Sequence, residues 1–107
     1  MVKTIESYEE WESLTGGSQV VVVEYWVAGD DSCESISPYF AKLEGVFTHL
    51  KFFKVDVDEQ PASGFKIAQD ADVKTVPTFI VYMDDNSELS IRGAQPDLLL
   101  VSVVFDG

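Results

Sequence analysis

Val20-Val21-Val22-Val23 is an apolar run with no polar alternate. A strand with one face in water alternates apolar and polar residues, so this run predicts a strand covered on both faces and central in its sheet. Beyond it, Ile36, Tyr39, Phe40, Leu43 and Phe47 recur at the spacing of one helix face. Asp30, Asp31 and Ser32 stand just ahead of that run, where short acceptor side chains satisfy the free N–H groups of a first helical turn. Asp31 and Glu34 have the spacing of a capping box. Pro38 predicts a kink within this helix, and Gly45, Val46 and Phe47 bring it to its end. Whatever lies on the turn between strand and helix sits in the positive field of the helix N-terminus, which makes this turn the first place to look for function.

The same reading extends along the chain. Lys3 to Ile5 suits a short edge strand, and Ser7 with Glu10 makes a capping box for a helix lined by Tyr8, Trp11 and Leu14. Gly16-Gly17 ends that helix and releases the chain into the valine run. Lys51 to Val57 is aromatic and β-branched enough for another strand, and Phe79-Ile80-Val81-Tyr82-Met83 for a further one. Asp84-Asp85-Asn86-Ser87 then supplies a turn into an antiparallel partner, Glu88 to Arg92. Pro96-Asp97 makes a helix start, but Leu98-Leu99-Leu100-Val101-Ser102-Val103-Val104-Phe105 is apolar nearly all round, and its period does not separate helix from strand. As a helix it leaves an apolar outer face in water, a feature that marks contact with a partner or with another copy.

Composition narrows the function. A chain of 107 residues forms one domain with a real core. Its 19 acidic and 7 basic side chains give a net charge of −12, a field that repels phosphate backbones and anionic lipid. Nucleic-acid and membrane-surface partners are therefore not expected. The first residues lack the apolar core of a signal peptide and no run approaches membrane-spanning length, so a cytoplasmic protein is expected. One cysteine, Cys33, permits no internal disulfide. His49 has no second histidine or cysteine near it, and Asp56, Asp58 and Glu59 lack the glycine turn of a calcium loop, so neither a metal nor a cofactor is expected. Glu24 is the odd residue of the valine strand: a carboxyl group in a position that demands burial must raise its pKa or find a cation.

Tyr25-Trp26-Val27-Ala28-Gly29-Asp30-Asp31-Ser32-Cys33, followed by Ile36 and Pro38, resembles the active-site stretch of the thioredoxin family. That family carries Trp-Cys-Gly-Pro-Cys where this chain has Gly29-Asp30-Asp31-Ser32-Cys33. Gly29 replaces the tryptophan, Asp30 the nucleophilic cysteine and Ser32 the proline; only the second, resolving cysteine is kept, as Cys33. The opening Met1-Val2-Lys3 with Ile5-Glu6-Ser7, Val55 to Glu59, Thr75-Val76-Pro77-Thr78-Phe79 and Arg92-Gly93-Ala94 are similar to further thioredoxin segments in the same order, so the resemblance covers almost the whole chain, taken as a single domain over 1–107, and the segment from Leu98 departs from it most.

The resemblance implies an α/β, thioredoxin-like fold: a central mixed sheet flanked by helices on both faces. It implies a short helix between Gln60 and Val73, on which Phe65, Ala68 and Asp72 or Val73 keep the helical period, approached through Pro61-Ala62-Ser63-Gly64. It further implies a cis bond before Pro77, with the preceding backbone pairing to bound peptide as an added strand and Gly93 completing the surface beside it. Trp26, Gly29, Val76, Pro77 and Gly93 are thus the expected partner-binding residues. Glu24 stands where the family has an aspartate that helps move the proton of the resolving cysteine, and Lys54 where it has the lysine paired with that acid. With no dithiol to serve, a Glu24–Lys54 ion pair kept for packing is the plainer role.

In the family the first cysteine attacks a disulfide and the second resolves the mixed disulfide. Asp30 cannot take the first step. The expected function is therefore a redox-deficient module that binds a peptide or protein partner. The alternative is a monothiol oxidoreductase or glutathionylated protein acting through Cys33, and acid–base chemistry by Asp30 with Glu24 is a third reading, for which the sequence offers no substrate pocket. A homodimer would form through the apolar C-terminal segment or through Cys33.

Overall fold

The computed structural model describes residues 2–58, 63–83 and 87–106. The patterned segments become β1 (Lys3–Thr4), α1 (Tyr8–Thr15), β2 (Val21–Trp26), α2 (Asp31–Val46), β3 (Lys51–Asp56), α3 (Ser63–Asp70), β4 (Thr78–Tyr82), β5 (Glu88–Arg92) and α4 (Pro96–Asp106). The sheet runs β1-β3-β2-β4-β5. β1, β3 and β2 are parallel, β4 is antiparallel to β2, and β5 is antiparallel to β4. This is the mixed sheet the resemblance implies. Gln60 to Ala62 of the approach to α3 and Asp84 to Asn86 of the expected turn lie outside the described residues. The Met83 N–H donates to the Ser87 carbonyl at 2.9 Å.

β2 shows why four valines follow one another. Successive strand residues point to opposite faces, and both faces are covered. Val22 joins Ile36, Phe40, Phe52, Phe79, Leu99 and Val103 beneath α2 and α4. Val21, Val23 and Tyr25 join Ile5, Val55, Ile67 and Ile80 beneath α1 and α3. β4, also paired on each side, is likewise buried throughout. β5, at the edge, buries only Ile91.

Hydrogen bonds tie the α1–α3 layer to the sheet and to itself. The Trp11 indole N–H donates to the Tyr25 hydroxyl at 3.0 Å, and the Tyr25 and Tyr82 hydroxyls lie 2.6 Å apart. The Tyr8 hydroxyl donates to Asp70, and the Lys66 ammonium lies 4.3 Å from the Tyr8 ring centre. On α3, the inward stripe is Gly64, Ile67 and Ala68, whereas Phe65 is 58 % exposed. Of the stripe expected through Phe65, Ala68 and Asp72 or Val73, Ala68 and Val73 do pack inward, and Phe65 turns out because Gly64 is the residue that lies against β3.

The C-terminal segment is a helix. Pro96 opens it, the Leu99 N–H donates to the Gln95 carbonyl at 3.0 Å, and Leu99, Ser102 and Val103 turn inward. Leu98, Val101 and Val104 are each about half exposed, so the outer face is apolar as the sequence pattern predicts for a helix. Among the described residues, no helix is long and apolar enough to cross a membrane.

Candidate functional site at the N-terminus of α2

β2 ends at Trp26, and the chain turns through Val27–Gly29 into α2. Asp30 is the N-cap: its Oδ1 accepts from the Cys33 N–H at 3.0 Å. The capping residue is thus one position earlier than the Asp31–Glu34 spacing predicts. Asp31 already has helical backbone, and Glu34 reaches back past the cap, its Oε1 accepting from the Gly29 N–H at 3.2 Å. The Asp30 N–H donates to the Val27 carbonyl at 3.2 Å, closing the turn.

Cys33 is 0 % exposed. Burial pushes its thiol up to about 11, the hydrogen bond and charge of Asp30 and the charge of Glu24 push the same way, and a backbone hydrogen bond with Val27 opposes them. The Cys33 sulfur, one of the two expected contacts between copies, thus lies inside the domain.

Facing this turn is the segment before β4. The Val76–Pro77 peptide bond is cis. The Gly93 N–H donates to the Pro77 carbonyl at 2.7 Å, and the Thr78 hydroxyl to the Thr75 carbonyl at 2.7 Å. Gly29 and Gly93 both have φ of +86°, a region that costs other residues roughly 1–2 kcal/mol. Pro77 is buried and Val76 half-buried. Among the described residues, neither the N–H nor the C=O of Val76 has a hydrogen-bond partner.

Glu24, Trp26 and Lys54 share one face of the sheet, with Glu24 opposite Lys54 in the β2–β3 register. The expected ion pair does not form: among the described residues no contact within 4.0 Å joins Glu24 to Lys54. The Lys54 ammonium lies 4.8 Å from the centre of the Trp26 ring. There it gains cation–π attraction without the full desolvation cost of a buried ion pair. Glu24, 1 % exposed, takes its hydrogen bond from the Ser37 hydroxyl, 2.7 Å from Oε2. Burial holds the Glu24 carboxyl above its ordinary 4.5, only partly countered by the Ser37 hydroxyl and the charge of Lys54. Ser37 lies one helical turn after Cys33 on α2, so the helix period was the available signal for a partner that inspection of the strand alone misses. Among the described residues, the buried Trp26 Nε1 has no hydrogen-bond partner.

A raised carboxyl pKa has a definite sign. The unfolded chain gives up this proton near 4.5 and the folded chain only at higher pH, so Glu24's contribution to stability is fully present below about 4.5 and is lost as pH rises through the folded value. Glu24→Gln keeps an acceptor for Ser37 and removes the titration. The variant is expected to be more stable than the parent near neutral pH by about 1 kcal/mol, a rise of roughly 4–8 °C in Tm. The difference should close in acid below about pH 4.5, which parallel melts of the two proteins across pH would measure.

Among the described residues no three His, Cys, Asp or Glu side chains come together as metal ligands. The arrangement is a helix N-terminus capped by a carboxylate, a buried thiol one turn in, and an unpaired backbone edge beside it.

Comparison with known proteins agrees with this architecture. The thioredoxin family model matches residues 2–105. Thioredoxin of Malassezia sympodialis is 34 % identical over 104 residues, covering 95 % of each chain. Thioredoxin-1 of Schizosaccharomyces pombe is 30 % identical over 103 residues, covering 96 % of each. The crystal structure of the Malassezia sympodialis thioredoxin superposes with a TM-score of 0.85 at 32 % identity, covering 97 % of this chain and 89 % of that one. By its sequence, its sheet order and these relatives, the chain belongs to the thioredoxin family.

Proposed function

We propose that this thioredoxin-family protein is a redox-deficient binding module that holds an extended peptide or protein segment across Trp26, Gly29, Val76, Pro77 and Gly93. The observation that carries the reading is the unpaired N–H and C=O of half-buried Val76. An extended segment laid beside it gains main-chain hydrogen bonds as an added strand. Gly93, with no side chain, leaves the surface open. Gly93→Arg is expected to lower the affinity for an extended peptide at least about tenfold while the circular dichroism spectrum stays that of the parent. Unchanged affinity in the folded variant would remove Val76 and Gly93 from the binding surface.

The monothiol alternative is disfavoured by the state of Cys33. With its pKa at about 11 instead of the ordinary 9.0, its thiolate fraction near neutral pH is lower by roughly 100-fold. Alkylation by iodoacetamide should be slower by at least about that factor in the native protein than in denaturant. Native alkylation as fast as in the unfolded chain would bring the thiol chemistry back.

A single, buried thiol suits a reducing compartment, and we assign the protein to the cytoplasm on that ground. For contact with a second copy we assign the apolar outer face of α4, where Leu98, Val101 and Val104 are exposed and Asp97 is the acid beside them.

A further inference from the structure

The walls beside Val76 carry information about the chemistry of the bound segment. Two adjoining hollows, of about 200 and about 280 Å³, run from Val27 and Val76 to Phe65 and share Val57, Ala68 and Val73 as their floor. This is an apolar groove between α3 and the segments that follow β2 and β3. Phe65, more than half in water, is the large apolar side chain that an occupant would cover.

The groove is flanked by acids. At its Val27 end lies Asp30, whose backbone is bonded to Val27. The Asp30 carboxylate caps α2 through Oδ1 and also bears on the Cys33 thiol, and it keeps its negative charge at the mouth of the groove. Asp31 and Glu34 follow on the exposed side of the same helical turn, and exposed Asp58 lines the other end. Of the cations nearby, Lys74 lines the Val76 end of the groove with its ammonium 3.6 Å from Asp72, Lys54 lies over Trp26, and Arg92 stands beyond Gly93, so acids outnumber bases around the groove. The molecule as a whole carries −12.

We infer that the occupant is an extended peptide segment bearing a lysine or arginine together with an apolar side chain. The apolar side chain fills the groove over Phe65, and the cation lies against Asp30, where a thioredoxin carries its attacking thiol. This rests on the reading of Val76 as the peptide-binding edge. Asp30 then holds by charge a partner that a thioredoxin would hold by a transient disulfide, and acidic segments are turned away by like charge.

The test uses short synthetic peptides carrying a fluorescent label: an alanine-rich chain with one leucine flanked by lysines, a twin with glutamates for the lysines, and a twin with serine for the leucine. Fluorescence anisotropy at about 0.15 M salt, where long-range attraction is screened, should show the first binding at least about tenfold more tightly than either twin. Asp30→Asn keeps the helix cap and removes the charge. Asp30→Asn and Phe65→Ser, which leaves the core untouched, should each weaken the basic peptide about five- to tenfold. Equal affinity for the basic and acidic peptides, or a lysine preference unchanged by Asp30→Asn, overturns the inference while peptide binding that Gly93→Arg abolishes still stands. Failure of every peptide to bind overturns both.

Discussion

Asp30→Cys is expected to turn a chain with background activity into one that reduces protein disulfides about a thousandfold faster. The parent has a single thiol, wholly buried, with its pKa at about 11, so near neutral pH roughly one molecule in ten thousand carries a thiolate. A thiol at the N-cap of α2 stands at the positive end of a helix, where cysteine pKa values fall to about 7.5 or below and a substantial fraction is thiolate. That gain alone supplies about three orders of magnitude. The new thiolate attacks a substrate disulfide, one substrate sulfur leaves as thiolate, and Cys33 attacks the mixed disulfide to release the second. The protein ends with an internal disulfide, two electrons having passed to the substrate, and added dithiothreitol resets it. The Asp30 carboxyl oxygen already sits 3.0 Å from the Cys33 N–H, so the two side chains belong to one turn. Losing the cap should cost about 1 kcal/mol of stability. Insulin reduction followed by turbidity measures the gain. If the internal disulfide forms by mass spectrometry and the rate stays at background, residues other than Asp30, Gly29 and Ser32 among them, limit the reaction.

What the sequence makes legible here is whatever depends on neighbours along the chain. The valine run required cover on both faces and has it, Ser7 caps α1 through the Glu10 N–H at 3.0 Å, and the segment Thr75–Phe79 leads into β4. Interactions through space were less accessible. The register does put Glu24 opposite Lys54, but the flexible lysine has a choice of partners, and the aromatic face of Trp26 two residues along β2 wins its ammonium. The cap falls on Asp30 and not Asp31 because three successive short polar residues can each serve, and only the angle at which the strand turns into the helix selects one. For residues 98–105 the composition is apolar on every face, so no period exists to be read; the inward stripe of Leu99, Ser102 and Val103 is chosen by packing on β4 and β5. The groove over Phe65 joins segments far apart in sequence and leaves no local pattern.

Gly64→Ala should destabilise the protein by about 3 kcal/mol, even though it replaces the worst ordinary helix former by the best within α3. A Cβ on Gly64 would lie 2.0 Å from the Asp56 carbonyl oxygen and 3.1 Å from its carbon. Both obstacles are backbone at the end of β3, so no side chain can swing away and α3 itself must move outward. That motion withdraws Ile67, which is wholly buried, and opens the floor of the groove between Val57 and Ala68. A matched substitution isolates the cause. Gly45, also within a helix but with nothing within 4 Å of its would-be Cβ, feels the helix propensity alone, so Gly45→Ala should stabilise by roughly 0.5–1 kcal/mol. Thermal melts should therefore move in opposite directions, down by roughly 10 °C or more for Gly64→Ala and up by a few degrees for Gly45→Ala. Should both variants melt above the parent, α3 does not sit against β3 as closely as this, and the apolar groove that depends on that contact would have another shape.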